Sequence, residues 1–156
     1  FYQVDSLGRY RTGKVINYDV NTGKRVKKPF SRINWVHRLI YGDDFTLEQC
    51  LFGEHLLHSL QGDPDIYLVE SEKTALICYL NDPTGVYLAT GGLSNINKNK
   101  MSVLSDYDVV AIPDKGGYEK WSEKLKPFAA KIMNLDNMPD LDDGEDVADL
   151  ILKRHE

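Results

Sequence analysis

The chain is predicted to fold as an α/β protein, with a mostly parallel sheet that carries helices on both faces. Two observations support this prediction. After residue 65, apolar runs of about four residues alternate with helical segments, which is typical of parallel strands buried on both faces. Before that, residues 1–28 alternate in strand fashion, with turn signals at Ser6-Leu7-Gly8 and Asn21-Thr22-Gly23. This pattern predicts that a small basic β-hairpin region precedes the sheet.

The elements of the first part follow from turn and cap signals. We predict a hairpin or small meander that ends at Pro29, and then a short strand or a turn of helix over 33–39. A sequence of capping-box type at 44–49 predicts a helix that continues to about Leu60. Gly62-Asp63-Pro64 then breaks the chain. The strands predicted for the meander are 1–5, 10–19 and 25–28.

The second part alternates strand and helix without a visible internal repeat. The predicted strands are 66–69, 86–89, 109–112 and 131–134. The predicted helices are 71–80, 95–104, 118–130 and 147–154. We therefore divide the chain into a basic β-rich segment, 1–43, and an α/β domain, 44–156, that includes its leading helix.

The composition is typical of a soluble globular protein, because 42% of the 156 residues are hydrophobic and 28% are charged. No apolar run approaches the roughly 20 residues needed to span a bilayer, and no signal peptide is visible. We expect no membrane association and a cytoplasmic location. Cys50 and Cys78 are expected to be buried free thiols, as is usual in a reducing compartment.

Charge is distributed unevenly along the chain. Residues 1–38 carry nine Lys or Arg against two Asp, a net charge of +7, and the rest of the chain carries −12. A basic arm on an acidic body suits a protein that acts on a polyanion; a solvated hairpin surface is the alternative. The densest positive charge predicts a nucleic-acid-binding segment at Lys24, Arg25, Lys27 and Lys28.

Two predicted apolar strands each lead to an acidic residue. In the first case the acid follows the strand directly, and in the second case one proline stands between them. Glu70 follows Ile66–Val69, and Asp114 follows Val109–Pro113. Ligands of open α/β sheets bind at the carboxyl ends of the strands, so the two acids are candidates for a shared metal or phosphate site. The alternative for each acid is a role in capping the next helix.

Other residues at the same edge extend the predicted site. Gly91 and Gly92 follow the strand between the two acids, in a loop of the type that cradles phosphate. We predict that Lys73 and Lys115 also contact phosphate. An acidic stretch precedes the last helix, and its Asp146 and Asp149 would share one helical face. These two acids extend the metal site or form a solvated helix start.

Four motifs together resemble the Toprim domain, the metal-binding module of bacterial primases, topoisomerases and related nucleases. They are YLVESEKTALI, YLATGGLSN, VVAIPDKGGYEKW and DDGEDVADLIL, within residues 64–153. The resemblance implies that Glu70 is an acid/base carboxylate, that Asp114 binds Mg²⁺ or Mn²⁺, and that Asp146 and Asp149 are auxiliary metal acids. The chain departs from the family at Gly116, where the second Asp of the family's Asp-x-Asp motif is expected.

Within this group the chain most resembles primase-like proteins of bacteria, phages and mobile elements, in which a zinc ribbon often precedes a basic segment. The first residue is Phe1 rather than Met, so we expect an upstream zinc-ribbon partner. The expected function is that of a primase-like domain in DNA replication, a nucleotidyltransferase if active, which binds DNA or RNA and also nucleotides. The alternative is a non-catalytic nucleic-acid-binding module of a mobile-element replication protein, with a degenerate metal site.

Overall fold

The first structural unit is a three-stranded antiparallel sheet, here called the N-terminal sheet. A computed structural model describes residues 1–30, 32–128 and 130–155 of the chain. The strands are β1 (Tyr2–Val4), β2 (Tyr10–Ile16) and β3 (Ile33–Trp35), with β2 in the centre. Helix α1 (Val36–Tyr41) follows β3 directly. Residues 33–39, predicted as a short strand or a turn of helix, therefore contain a strand and the first part of a helix.

The second unit is a four-stranded parallel sheet with the order β5-β4-β6-β7. Its strands are β4 (Ile66–Val69), β5 (Val86–Ala89), β6 (Val109–Ile112) and β7 (Lys131–Ile132). The helices between and after them are α2 (Glu72–Asn81), α3 (Lys98–Met101), α4 (Tyr118–Leu125) and α5 (Val147–Lys153). The predicted fold class is confirmed.

Both faces of the parallel sheet are covered because successive strand side chains point to opposite faces. On one face, Leu68 and Leu88 pack with Trp121 of α4 in one hydrophobic cluster. On the other face, Val69 packs in a second cluster with Ala75 of α2, and α2 packs against α5. The helices that follow β4 and β6 therefore lie on opposite faces of the sheet.

The predicted helix over 44–60 is wrong. Residues 44–50 form no regular element, Phe52 exchanges two backbone hydrogen bonds with Ala89 of β5, and only Glu54–Ser59 forms a 3-10 helix. At Gly53 the backbone has φ +81°, and a Cβ there would lie 2.9 Å from the Tyr87 carbonyl oxygen. The exposed sheet edge thus accepts an extended segment, and this tertiary pairing overrides the local helical pattern.

Smaller differences concern the lengths of elements. The strand predicted over 10–19 ends at Ile16, and the one predicted over 25–28 is a single bridge between Tyr18 and Arg25. The helix predicted over 95–104 has a regular α-helical part of only four residues, α3, between short 3-10 turns. Residue 129 of the helix predicted over 118–130 lies outside the described residues.

Two expectations from composition can be compared with the structure. Cys50 and Cys78 are buried free thiols, as predicted, and burial raises the pKa of each to about 12. Within the described residues, we find no helix with the length and apolar character needed to cross a membrane.

Candidate functional site

The carboxyl edge of the parallel sheet contains a crevice between β4 and β6. The two strands are neighbours, with Val69 in register with Ile112. The helix after β4 packs on one face of the sheet and the helix after β6 packs on the other. Chains that leave neighbouring strands in opposite directions open a crevice between them, which is where α/β proteins bind ligands.

Glu70 enters this crevice directly after β4. The N-cap of α2 is Ser71, whose hydroxyl accepts a hydrogen bond from the Thr74 amide at 3.1 Å. Among the described residues, no hydrogen bond involves the Glu70 carboxylate, whereas its backbone carbonyl accepts the Gly91 amide at 2.9 Å. Ser71 rather than Glu70 therefore caps α2. The carboxylate of Glu70 is available for another contact.

Asp114 lies on the other side of the crevice. The N-cap of α4 is Gly117, which has no side chain to cap the helix, so Asp114 does not serve as its cap. Burial, and then the negative charges of Glu70, Asp146 and Asp149, raise the pKa of Asp114 to about 7. Three carboxylates thus lie near enough to act on Asp114, and we call the set of four (Glu70, Asp114, Asp146 and Asp149) the acidic crevice.

Asp146 and Asp149 form a capping box at the start of α5. Asp146 accepts the Ala148 and Asp149 amides, and Asp149 accepts the Asp146 amide. Asp146 also accepts a hydrogen bond from the Thr74 hydroxyl at 2.5 Å, which links α5 to α2. Asp146 and Asp149 therefore form the start of α5, as one of the two alternatives predicted. Their role beside a metal ion stays a prediction.

The donor set of the acidic crevice fits a hard cation only modestly. Mg²⁺ is commonly held by one or two protein carboxylates together with substrate phosphates, and Glu70 and Asp114 supply these two. In the described part of the chain, no three His, Cys, Asp or Glu side chains are grouped closely enough to hold a metal. Gly116 has φ +83° and open space where a Cβ would stand, so an additional ligand is lacking at this position.

The glycine loop after β5 is held by its own hydrogen bonds. The Gly91 amide donates to the Glu70 carbonyl, and the Gly92 amide donates to the Thr90 hydroxyl at 3.2 Å. Both amides are thus engaged within the protein, so a phosphate-cradling role for Gly91 and Gly92 stays a prediction. Lys100 is buried and donates from Nζ to the Thr90 carbonyl at 3.2 Å, which also holds the loop.

The two lysines predicted to contact phosphate have different surroundings. Lys115 Nζ donates to the carbonyls of Met138 and Leu141, at 2.9 and 2.5 Å, and so holds the acidic loop before α5. Lys73 is half-buried in the first turn of α2, and no hydrogen bond of its side chain occurs among the described residues. Lys73 is therefore the better placed of the two for a ligand contact.

Five exposed basic residues lie between β2 and β3, and we call the four that lie within residues 24–28 the basic segment: Lys24, Arg25, Lys27 and Lys28. Within the described residues, none of them forms a salt bridge. The Asp142 amide and the Lys153 ammonium lower the pKa of Glu145, and the charge of Lys24 adds to this effect. Glu145 directly precedes Asp146, so the charge of Lys24 acts on a residue next to the acidic crevice.

Sequence reasoning missed a buried ion pair between the two sheets. Lys14 Nζ of β2 contacts both carboxylate oxygens of Glu72, at 3.1 and 3.0 Å. Glu72 was visible only as an acid in the first turn of a helix, and no local pattern indicates its partner. A separate cavity of about 470 Å³ lies between Arg11, Gln49 and Lys100, and none of the four acids of the acidic crevice lines it.

Comparisons with known proteins agree with this architecture. The sequence model of the family described as "Domain of unknown function (DUF6371)" matches residues 1–115. No curated protein matches the chain. The crystal structure of the primase fragment of the bacteriophage T7 primase-helicase protein is similar, with a TM-score of 0.61 and 18% sequence identity. The match covers 99% of this chain and 58% of that fragment, and it shows a primase-like fold.

Proposed function

Because the chain belongs to the DUF6371 family and has a primase-like fold, we propose that it is a primase-like nucleic-acid-processing domain. It binds DNA or RNA through the basic segment and carries out Mg²⁺- or Mn²⁺-dependent phosphoryl transfer at Glu70 and Asp114. The observation that carries the proposal is the position of Glu70 and Asp114 directly beyond the carboxyl ends of the neighbouring parallel strands β4 and β6. The raised pKa of Asp114, about 7, is consistent with this position, since its causes are burial and three nearby carboxylates.

The residues of the acidic crevice have distinct roles in this proposal. Glu70, which is not engaged by a helix cap, acts as the acid/base carboxylate toward a substrate hydroxyl. Asp114 and Glu70 hold the cation, and Asp146 and Asp149 add negative charge beside it. The cation supplies charge stabilisation at the phosphates. Its positive charge also offsets the repulsion among the carboxylates that raises the pKa of Asp114.

The basic segment brings the polyanion to this edge of the sheet. The side chains of Lys24, Arg25, Lys27 and Lys28 are exposed, so binding a phosphate does not require breaking a salt bridge among the described residues. Lys24 acts electrostatically on Glu145 at the start of the last helix, so a strand that contacts the basic segment also passes near the acidic crevice. This arrangement explains how an acidic protein can hold a polyanion next to its carboxylates.

The direct test is a calorimetric titration of the protein with Mg²⁺ and with Mn²⁺. We expect Glu70→Gln and Asp114→Asn each to abolish binding at millimolar metal, because each removes one of two ligands. Asp143→Asn is the matched control, since this acid belongs to the same acidic stretch but is exposed and lies outside the acidic crevice as defined above. Metal binding that survives in both crevice variants contradicts the proposal.

Nucleic-acid binding is tested separately by its dependence on salt. Each phosphate contact contributes about −0.7 to −0.9 to the slope of log affinity against log salt. Reversing Lys27 and Lys28 to Glu should therefore flatten the slope by about 1–2 and weaken binding at low salt. The control variant reverses Lys126 and Lys131, which are also exposed but lie on the other part of the chain. Equal losses in the two variants contradict a specific role for the basic segment.

A second candidate function is supported by Gly116. In this version the chain is a non-catalytic nucleic-acid-binding module of a mobile-element replication protein, and its metal site is degenerate. The variant Gly116→Asp distinguishes the two, because the position is exposed, has room for a side chain, and has a positive φ that Asp tolerates better than most residues. Mg²⁺ binding that exists only in Gly116→Asp favours the degenerate site, whereas binding by the unaltered chain favours the catalytic one.

A further inference from the structure

The ion pair between Lys14 and Glu72 joins the two sheets at a buried position. Glu72 is 1% exposed, and Lys14 Nζ contacts both of its carboxylate oxygens. The loop after β5 also packs closely against the ion pair. A Cβ on Gly91 would lie 3.2 Å from Glu72 Oε1 and 3.9 Å from Lys14 Nζ. Strand β2, the first turn of α2 and the loop after β5 therefore meet around one carboxylate.

This contact lies between the two parts of the proposed site. Glu72 follows Glu70 by two residues, and the Glu70 carbonyl accepts the Gly91 amide. On the other side, β2 continues from Lys14 into the chain that carries the basic segment. Burial, and then the charge of Glu72, raise the pKa of Tyr18, which pairs with Arg25 of that segment. The ion pair thus joins the strand that leads into the basic segment to the helical turn that follows Glu70.

A buried ion pair is seldom explained by stability alone. The cost of taking two charges out of water commonly offsets their attraction, and a well-packed apolar pair is often as stable. What a buried pair provides is a defined arrangement of the elements that carry it. We infer that Lys14 and Glu72 are positioning residues, which couple nucleic-acid binding on the basic segment to cation binding by Glu70 and Asp114. This inference rests on the function proposed above.

The coupling follows from the connectivity. A polyanion that draws the basic segment toward the crevice displaces β2, and the ion pair transmits that displacement to the first turn of α2. Ser71 caps this turn, so Glu70 moves with it. Coupling between two ligands is reciprocal: the factor by which the cation raises nucleic-acid affinity equals the factor by which nucleic acid raises cation affinity.

The test measures that factor with Mg²⁺ and a fluorescein-labelled single-stranded oligodeoxynucleotide. Affinity for the oligonucleotide is measured by anisotropy with and without saturating Mg²⁺, at constant ionic strength. For the unaltered chain we expect Mg²⁺ to raise affinity by about 5-fold or more. In the double variant Lys14→Met/Glu72→Leu we expect a factor below about 2-fold, with an unchanged circular dichroism spectrum. Both partners are replaced together because one alone would leave a buried, unpaired charge.

The control is Glu54→Gln, which alters the other buried carboxylate between the sheets. Glu54 accepts the Ser6 amide at 3.1 Å and the Leu51 amide at 3.0 Å, and neither contact leads to Glu70. We expect the coupling factor to persist in this variant. Equal loss in Glu54→Gln and in the double variant would overturn the inference, because it would indicate general loosening between the sheets. Full coupling in the double variant would overturn it as well.

A second measurement does not depend on the double variant being folded. Hydrogen exchange of the unaltered chain should show that the oligonucleotide alone slows exchange at the Thr74 and Ala75 amides, which lie in the first turn of α2. Protection limited to the basic segment overturns the inference while leaving nucleic-acid binding intact. If the unaltered chain binds neither Mg²⁺ nor the oligonucleotide, the proposed function itself fails, and this result is distinct from the other two.

Discussion

The two sheets of this protein are held in different ways. The parallel sheet buries the side chains of Leu68, Val69 and Leu88 completely, and helices cover both of its faces. The N-terminal sheet leaves large side chains such as Tyr2 and Tyr10 exposed, by 58% and 75%. Its attachment to the rest of the chain relies on polar contacts, with Glu54 and Glu72 as buried acceptors.

The difference suits the two sheets to different parts of the proposed function: cation binding at the parallel sheet and nucleic-acid binding beside the N-terminal sheet. A close-packed core keeps strands β4 and β6 in register, so Glu70 and Asp114 stay at neighbouring strand ends despite the repulsion between their charges. An exposed, polar sheet can present basic residues to solvent and adjust to a ligand. We therefore expect the parallel sheet to respond most to changes in packing, and the N-terminal sheet to changes in charge.

The largest effect is expected from Trp121→Ala in the core of the parallel sheet. Trp121 is 1% exposed and packs against the strands from α4. Removing it leaves a large cavity, so the free energy of unfolding should fall by about 3–5 kcal/mol, as measured by urea denaturation. Leu80→Ala is the control, because Leu80 is 81% exposed on α2. A similar loss in both variants would contradict the comparison.

A smaller effect is expected from Asp5→Asn in the N-terminal sheet. Burial alone would raise the pKa of Asp5, but hydrogen bonds from Arg9, Arg11 and the Leu7 amide lower it to about 2. The variant should lose about 1–3 kcal/mol at pH 7, since the charge-assisted bonds are lost. A folded-state pKa below the ordinary 3.8 stabilises the protein above that pH, and this stability is lost as the pH falls from about 4 to 2. The difference between variant and unaltered chain should therefore shrink at pH 3.

An effect of the opposite sign is expected from Asp114→Asn in the absence of metal. The folded-state pKa of Asp114 is raised to about 7 by burial and by its neighbouring carboxylates. The folded state then binds the proton more tightly than the unfolded state, so stability falls as the pH rises from about 4 to 7. The variant avoids this loss and should melt higher than the unaltered chain at pH 8. Identical melting temperatures at pH 4 and a lower one for the variant at pH 8 would contradict this account.

Much of the parallel sheet could be predicted from the sequence. The runs at 66–69, 86–89 and 109–112 form strands with the predicted bounds, because strands buried on both faces need continuous apolar runs. The acids that follow two of these runs are brought to one edge by the general rule for parallel strands, and the charge of Glu70 contributes to the raised pKa of Asp114. That the two acids share a metal ion stays a prediction.

Other parts could not be predicted because their determinants are distant in sequence. The segment 44–50 has the local pattern of a helix start, but its neighbour Phe52 pairs with the exposed edge of β5. Lys115 is a residue of the type that contacts phosphate, yet its ammonium group donates to backbone carbonyls more than twenty residues later in the chain. In both cases the decisive partner is remote, so local propensity and residue type are insufficient.

The sequence by itself determined the α/β class, the strands of the parallel sheet and the placement of Glu70 and Asp114 at its carboxyl edge, because these depend on short-range periodicity and on one rule of topology. Only the tertiary structure decided that Asp146 and Asp149 act on Asp114 and that Lys14 pairs with Glu72. These depend on the packing of α5 and β2 against α2, and a buried charge finds its partner only when those surfaces meet.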